Sequence, residues 1–186
     1  MTMKLRSLPV FTIALISVVL AGCGTGSPSA RATQAAVGFE ESQSAFCSAF
    51  GSMLRAVGNP DAGTPSVLSK SLDDAVEAGD VASAERAAAG MVNELQMARR
   101  EAARASQWAP AGPTMAAMDT LLSAFEAMTA AKVAQAARTP GAVDPQLAFE
   151  QAGGVEAWSA MLTAFRDIPI PDGVTPPPCK AFSGEP

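Results

Sequence analysis

The sequence predicts an all-α protein: an up-and-down helical bundle of four long helices and one short helix, closed by an extended C-terminal tail. Three observations carry that prediction. Apolar residues recur every three to four positions over long segments, the spacing that one buried helix face requires. Alanine supplies much of a 48% hydrophobic content, while aromatic residues reach only 5%. No segment alternates apolar and polar residues as a half-buried strand would. Alanine favours helix and lets helices approach closely, but it fills little volume, so the core it builds is thin.

Taken in order, helical spacing begins at Phe39 and continues through Phe46, Phe50, Met53, Leu54 and Val57. Glu40 and Glu41 are expected in the first turn, where carboxylates suit the helix dipole. The run "GNPDAGTP", Gly58 to Pro65, ends this helix. A short helix follows from Ser66 through Leu68, Leu72 and Val76, with Gly79 as its left-handed cap. Asp80 is expected to N-cap a long segment through Val81, Ala84, Ala88, Met91, Leu95 and Ala102, which stops before "WAPAGP" at Trp108 to Pro113. Arg99, Arg100 and Arg104 fall near its C-terminal end, where cations complement the dipole.

The next stripe comprises Met115, Met118, Leu121, Leu122, Phe125, Met128 and Val133, and it stops by Thr139-Pro140. Asp144-Pro145 opens the last helix with a cap and a first-turn proline. Its apolar face runs through Leu147, Val155, Trp158, Met161, Leu162 and Phe165, and Gly153-Gly154 kinks or splits it. Short connections favour antiparallel neighbours, hence the bundle. Residues 169–186, "PIPDGVTPPPCKAFSGEP", contain too many prolines for helix and are expected to lie extended across it. The Gly79-Asp80 joint looks like a helical-repeat turn, but nothing recurs at the ~34-residue period such repeats need.

The N-terminus reads differently. Lys4 and Arg6 precede a run from Leu8 to Gly22 that is apolar apart from Thr12 and Ser17. This falls short of the ~20 apolar residues that cross a bilayer and fits a cleaved export signal. The run ends in Leu20-Ala21-Gly22-Cys23, which resembles the lipobox of bacterial lipoproteins. That resemblance implies removal of residues 1–22 and attachment of diacylglycerol, with a further acyl chain such as palmitate, to Cys23. The mature chain would sit lipid-anchored on the extracytoplasmic face of the cell membrane. Residues 23–37 would form a lipidated flexible tether, whose segment "GTGSPSARATQAA" spans about 20 Å as a coil. The bundle then occupies residues 38–168 and the proline-rich tail residues 169–186. In composition and layout the whole chain is similar to the small alanine-rich lipoproteins of actinobacteria.

With Cys23 committed to lipid, as the resemblance implies, Cys47 and Cys179 remain, and export places them where disulfides persist. A Cys47–Cys179 bond is expected, tying the tail to the first helix. A redox or metal-binding thiol pair would call for a CxxC spacing that the sequence does not contain.

Composition limits the functions open to this chain. Net charge is −5, and losing Lys4 and Arg6 with the signal makes it −7, which argues against nucleic acid or electrostatic adhesion to anionic lipid. There is no histidine, so the commonest acid/base group and the triads built on it are absent. No phosphate-binding glycine loop or dinucleotide fingerprint occurs, and no cofactor is expected.

Asp73, Asp74 and Glu77 could share a cation, but Ca²⁺ wants six to eight oxygens, so a solvated face is the simpler reading. Met115 and Met118 could offer thioethers to Cu(I), yet both belong to the apolar stripe and read as core. Trp108, beside a Pro/Gly loop, is a candidate partner contact together with Asp73, Asp74 and Glu77. The expectation is therefore a noncatalytic interaction module of the cell envelope that engages another envelope protein. The alternative is a carrier holding a lipid or other apolar small ligand between its helices.

Overall fold

The structure is a computed structural model that describes residues 28–59, 62–175 and 179. Six α-helices account for nearly all of it: α1 Pro28–Val57, α2 Val67–Ala78, α3 Val81–Ala105, α4 Gly112–Ala136, α5 Pro145–Gln151 and α6 Gly154–Arg166. The all-α expectation is met. Helix α3 packs against α1, α2 and α4, while α4 also carries α5 and α6. Phe46, Met53, Leu72, Met91, Leu95, Met118, Leu121, Leu122 and Met161 are fully buried between them. Between these large residues lie fully buried alanines, among them Ala49, Ala56, Ala84, Ala98 and Ala105, so helix backbones approach closely where volume is small. Met115 and Met118 belong to this core, as their place in the apolar stripe predicts.

Most element boundaries follow local chemistry. Ser66 accepts a hydrogen bond from the Ser69 N–H at 3.0 Å and caps α2, and the same hydroxyl donates to the Ala56 carbonyl at 2.6 Å. One side chain thus starts α2 and satisfies the end of α1. Gly79 takes the left-handed conformation that closes α2. Asp80 accepts from the Ser83 N–H at 3.1 Å, and the hydrogen bonds from Ser83 hold its carboxyl below the ordinary range. Asp144 accepts from the N–H groups of Gln146 and Leu147 at 2.9 and 3.1 Å, with Pro145 as the first residue of α5. In these joints a polar side chain or glycine meets the unpaired backbone groups of a helix end.

The structure corrects two expectations and decides between the two readings of a third. The flexible tether expected over residues 23–37 is helical from Pro28 onward, so α1 starts well before Phe39 and Glu40-Glu41 lie inside it rather than in its first turn. Proline is tolerated in a first turn because its missing N–H would be unpaired anyway, and the alanines that follow favour helix. Residues 23–27, with Cys23, lie outside the described residues.

At Gly153-Gly154, where the sequence allows either a kink or a split, the helix is split: Gly153 adopts φ +78° and the chain turns there before α6. Gly154 has room for no side chain: a Cβ there would stand 2.4 Å from the Phe149 ring, which folds back over the break.

The second correction is that the loop after α1 contains a small antiparallel pair, β1 Gly58–Asn59 and β2 Thr64–Pro65, with Gly58 opposite Pro65 and Asn59 opposite Thr64. Such a short pair carries no alternating pattern. Beyond α6 the described tail residues are non-helical, and Cys179 is disulfide-bonded to Cys47, their Cα atoms 5.4 Å apart.

Candidate ligand pocket

Phe39, Ser42, Gln43 and Phe46 are spaced three and four residues apart, so they share one face of α1. That face is not fully covered by a neighbouring helix. Opposite it stand Trp108 and Ala111, from the 3₁₀ turn Ala109–Ala111 and the residue before it, and Met115 from the start of α4. The end of α6 and the tail supply Phe165, Arg166, Ile168 and Ile170. Together they enclose a pocket of about 210 Å³.

Its walls are mainly apolar, with Ser42, Gln43 and Arg166 the polar side chains among them, and ring contacts hold them in place. Phe46 stacks on Phe165 with centroids 4.2 Å apart, and Phe39 meets Trp108 edge-on at 5.3 Å. Such pairs add about 0.5–1.5 kcal/mol to area burial and fix ring orientation. Gly38 lies directly under the indole, since a Cβ there would come within 3.1 Å of Trp108 Cδ1. The Ser42 hydroxyl donates to the Ala105 carbonyl at 2.8 Å, so this polar group on the wall is satisfied by α3. Cys47 follows Phe46 directly, so the disulfide brings the tail to α1 at the level of the pocket.

A second apolar groove, about 300 Å³, lies between α4, α5 and α6 and is lined by Phe125, Met128, Phe149, Val155 and Trp158 with Gln146. Phe125 and Phe149 meet there with centroids 5.0 Å apart. Val155 and Leu147 on these helices are 52% and 45% exposed.

The residues singled out from sequence are dispersed. Trp108 is half-buried in the pocket wall, and its other side borders a polar groove with Glu40, Glu41 and Arg104. Asp73 accepts a hydrogen bond from Lys132 Nζ of α4, whose side chain is only 16% exposed, so this carboxylate joins two helices. Asp74 pairs with Lys70 one turn earlier on α2, and that hydrogen bond holds the ammonium above its ordinary pKa. Glu77 is exposed. Among the described residues no three His, Cys, Asp or Glu side chains gather as a metal site would require, and no helix is long and apolar enough to cross a membrane.

The arginines also differ from expectation. Arg99, read as a dipole-complementing cation, reaches across to α4, donating to Asp119 at 2.7 Å, to Glu126 at 2.8 Å and to Ser123 at 3.1 Å. The bonds to Glu126 and Asp119 raise its pKa above the ordinary guanidinium value. Because the site is partly solvated, Arg99→Ala is expected to destabilise by about 1 kcal/mol, and Arg100→Ala by under about 0.5 kcal/mol. Urea denaturation of both variants checks this; equal midpoints would show that the clamp contributes nothing.

Sequence reasoning missed Arg166, Ile168, Ile170, Ser42 and Gln43 as pocket residues. The available signal was the pairing of a fixed Cys179 with two isoleucines among prolines, which marks a tail that covers something apolar. No protein-family model, no curated protein and no solved structure matches the chain.

Proposed function

We propose that this chain is a noncatalytic, lipid-anchored protein of the extracytoplasmic membrane face that carries an apolar small ligand at one end of its helical bundle. In this reading Cys23 bears the lipid and the pocket beneath Trp108 holds the cargo. The pocket itself is the observation that supports it: an alanine-rich bundle leaves about 210 Å³ of unfilled apolar space edged by Phe39, Phe46, Met115 and Phe165. An apolar cavity of about 150 Å³ already takes benzene or xenon, so this space is sufficient for a ligand. Its location agrees with membrane supply, since Phe39 lies only about 17 Å along α1 from Pro28, the end nearest the anchor.

The test is native mass spectrometry of the mature chain exported from its source cells and purified without denaturant. A reproducible added mass, released on unfolding, is expected, and Ala111→Leu should abolish it by filling the pocket while far-UV circular dichroism stays the same. A bare chain overturns the carrier reading.

A second reading, the interaction module engaging an envelope protein, draws on the apolar groove of α5 and α6, where Val155 and Leu147 stand exposed. A photocrosslinker at Val155 in intact membranes tests it, with the exposed Glu85 of α3 as the control position. Crosslinks at both or at neither count against the groove.

A further inference from the structure

We propose that the pocket accepts the hydrocarbon chain of a single-chain amphiphile and that Arg166 binds its carboxylate, an inference that rests on the carrier reading above. Arg166 is the last residue of α6 and lines the pocket between Phe165 and Ile168. It is exposed, so its position is the pocket mouth rather than the interior. Among the described residues it is the one charged side chain lining this pocket.

Its guanidinium forms no ion pair with any described residue, unlike those of Arg55, Arg99 and Arg104; Arg86, Arg100 and Arg138 form none either, but they do not line the pocket. Asp167 and Asp172, the nearest acids in sequence, are exposed and do not line the pocket. A single cation at the rim of a mainly apolar space, on a chain of net charge −5, is complementary to an apolar tail with an anionic head. A guanidinium presents paired donors that match a carboxylate's two oxygens. Size narrows the class further: about 210 Å³ exceeds a benzene cavity but falls below the ~300–1,000 Å³ typical of larger ligands, so one short chain fits and a two-chain lipid does not.

The experiment is isothermal titration of the oxidised mature chain with decanoate and with decanol, which share a chain length and differ in head group. Decanoate is expected to bind about tenfold more tightly, an advantage that shrinks as salt screens the rim. Arg166→Gln should bring decanoate down to the decanol affinity, while Arg166→Lys, which keeps the charge, should retain most of the preference. Equal affinity for the two ligands in the unaltered chain, or a preference that survives Arg166→Gln, overturns the head-group assignment and leaves the carrier reading intact. Binding of neither overturns both.

Discussion

Reduction of the Cys47–Cys179 bond is expected to produce the largest loss of stability of any single chemical change to this protein. The bond joins residues 132 positions apart, and closing a loop of that length removes about 5 kcal/mol of chain entropy from the unfolded state, less any strain in the folded one. Small domains rest on about 5–15 kcal/mol in total, so the fraction is large. Function should respond as well. Beyond Asp167 the backbone bonds of the described tail residues are only local, Ile168 N–H to the Phe165 carbonyl at 3.4 Å and Val174 N–H to the Pro171 carbonyl at 3.1 Å, and Ile170 remains 52% exposed. Ile168 packs against the core, so it is the exposed Ile170 that the bond chiefly retains at the pocket.

Cys179→Ser, or reductant on the unaltered chain, should therefore lower the urea midpoint and release the bound mass in native mass spectra, while native far-UV circular dichroism stays near its starting value. A retained ligand after reduction would show that the tail is not a wall of the pocket. An unchanged midpoint would show that the cross-link constrains nothing the core does not already constrain.

Gly58→Ala is expected to have the next largest effect, about 3 kcal/mol. Gly58 sits at φ +94°, and a Cβ there would fall 2.2 Å from the Thr64 carbonyl oxygen and 2.5 Å from the Ser66 nitrogen. Both are backbone atoms, so no side chain can swing aside. Relief would require parting β1 from β2 and disturbing Ser66, which caps α2 and bonds the end of α1.

Gly63 in the same hairpin provides the comparison. Its φ is +62°, but nothing lies within 4 Å of its Cβ position, so Gly63→Ala meets only the left-handed backbone penalty of about 1 kcal/mol. Thermal or urea denaturation of the two variants separates steric exclusion from backbone preference. Equal losses would mean that the hairpin yields freely and the close approach is immaterial.

How much could be read in advance depended on the range of the interaction concerned. Ser66, Gly79, Asp80 and Asp144 mark helix ends because each acts on backbone groups within four residues, and the sequence displays that whole neighbourhood. The early start of α1 was obscured because Gly, Ser, Thr and Ala suit a linker as well as a helix, and Gly38 inside α1 finds its partner in Trp108, seventy positions away. Asp73 looked like part of a solvated acidic face until Lys132, on another helix, supplied its counter-charge. Arg99 likewise gave no local sign of Asp119 and Glu126. The pocket was the least legible feature, because its residues come from α1, the α3–α4 joint and the tail, and an absence of atoms leaves no mark in a sequence.

By itself, then, the amino-acid order determined the helical class, most of the breaks between helices and most of the apolar stripes, though Leu147 and Val155 of the last stripe stand exposed; the pairing of Cys47 with Cys179 was expected only because the lipobox resemblance set Cys23 aside. The helical class, the breaks and the stripes follow from period and capping chemistry, both readable along one chain. Only the tertiary structure decided that α5 and α6 are separate, that Arg99 and Lys132 tie helices together, and that Phe39, Trp108, Met115 and Ile168 surround an unfilled space. Those outcomes depend on volumes and charges brought together from distant positions, where alanine's small side chain sets how closely helices meet and the larger residues determine what remains empty between them.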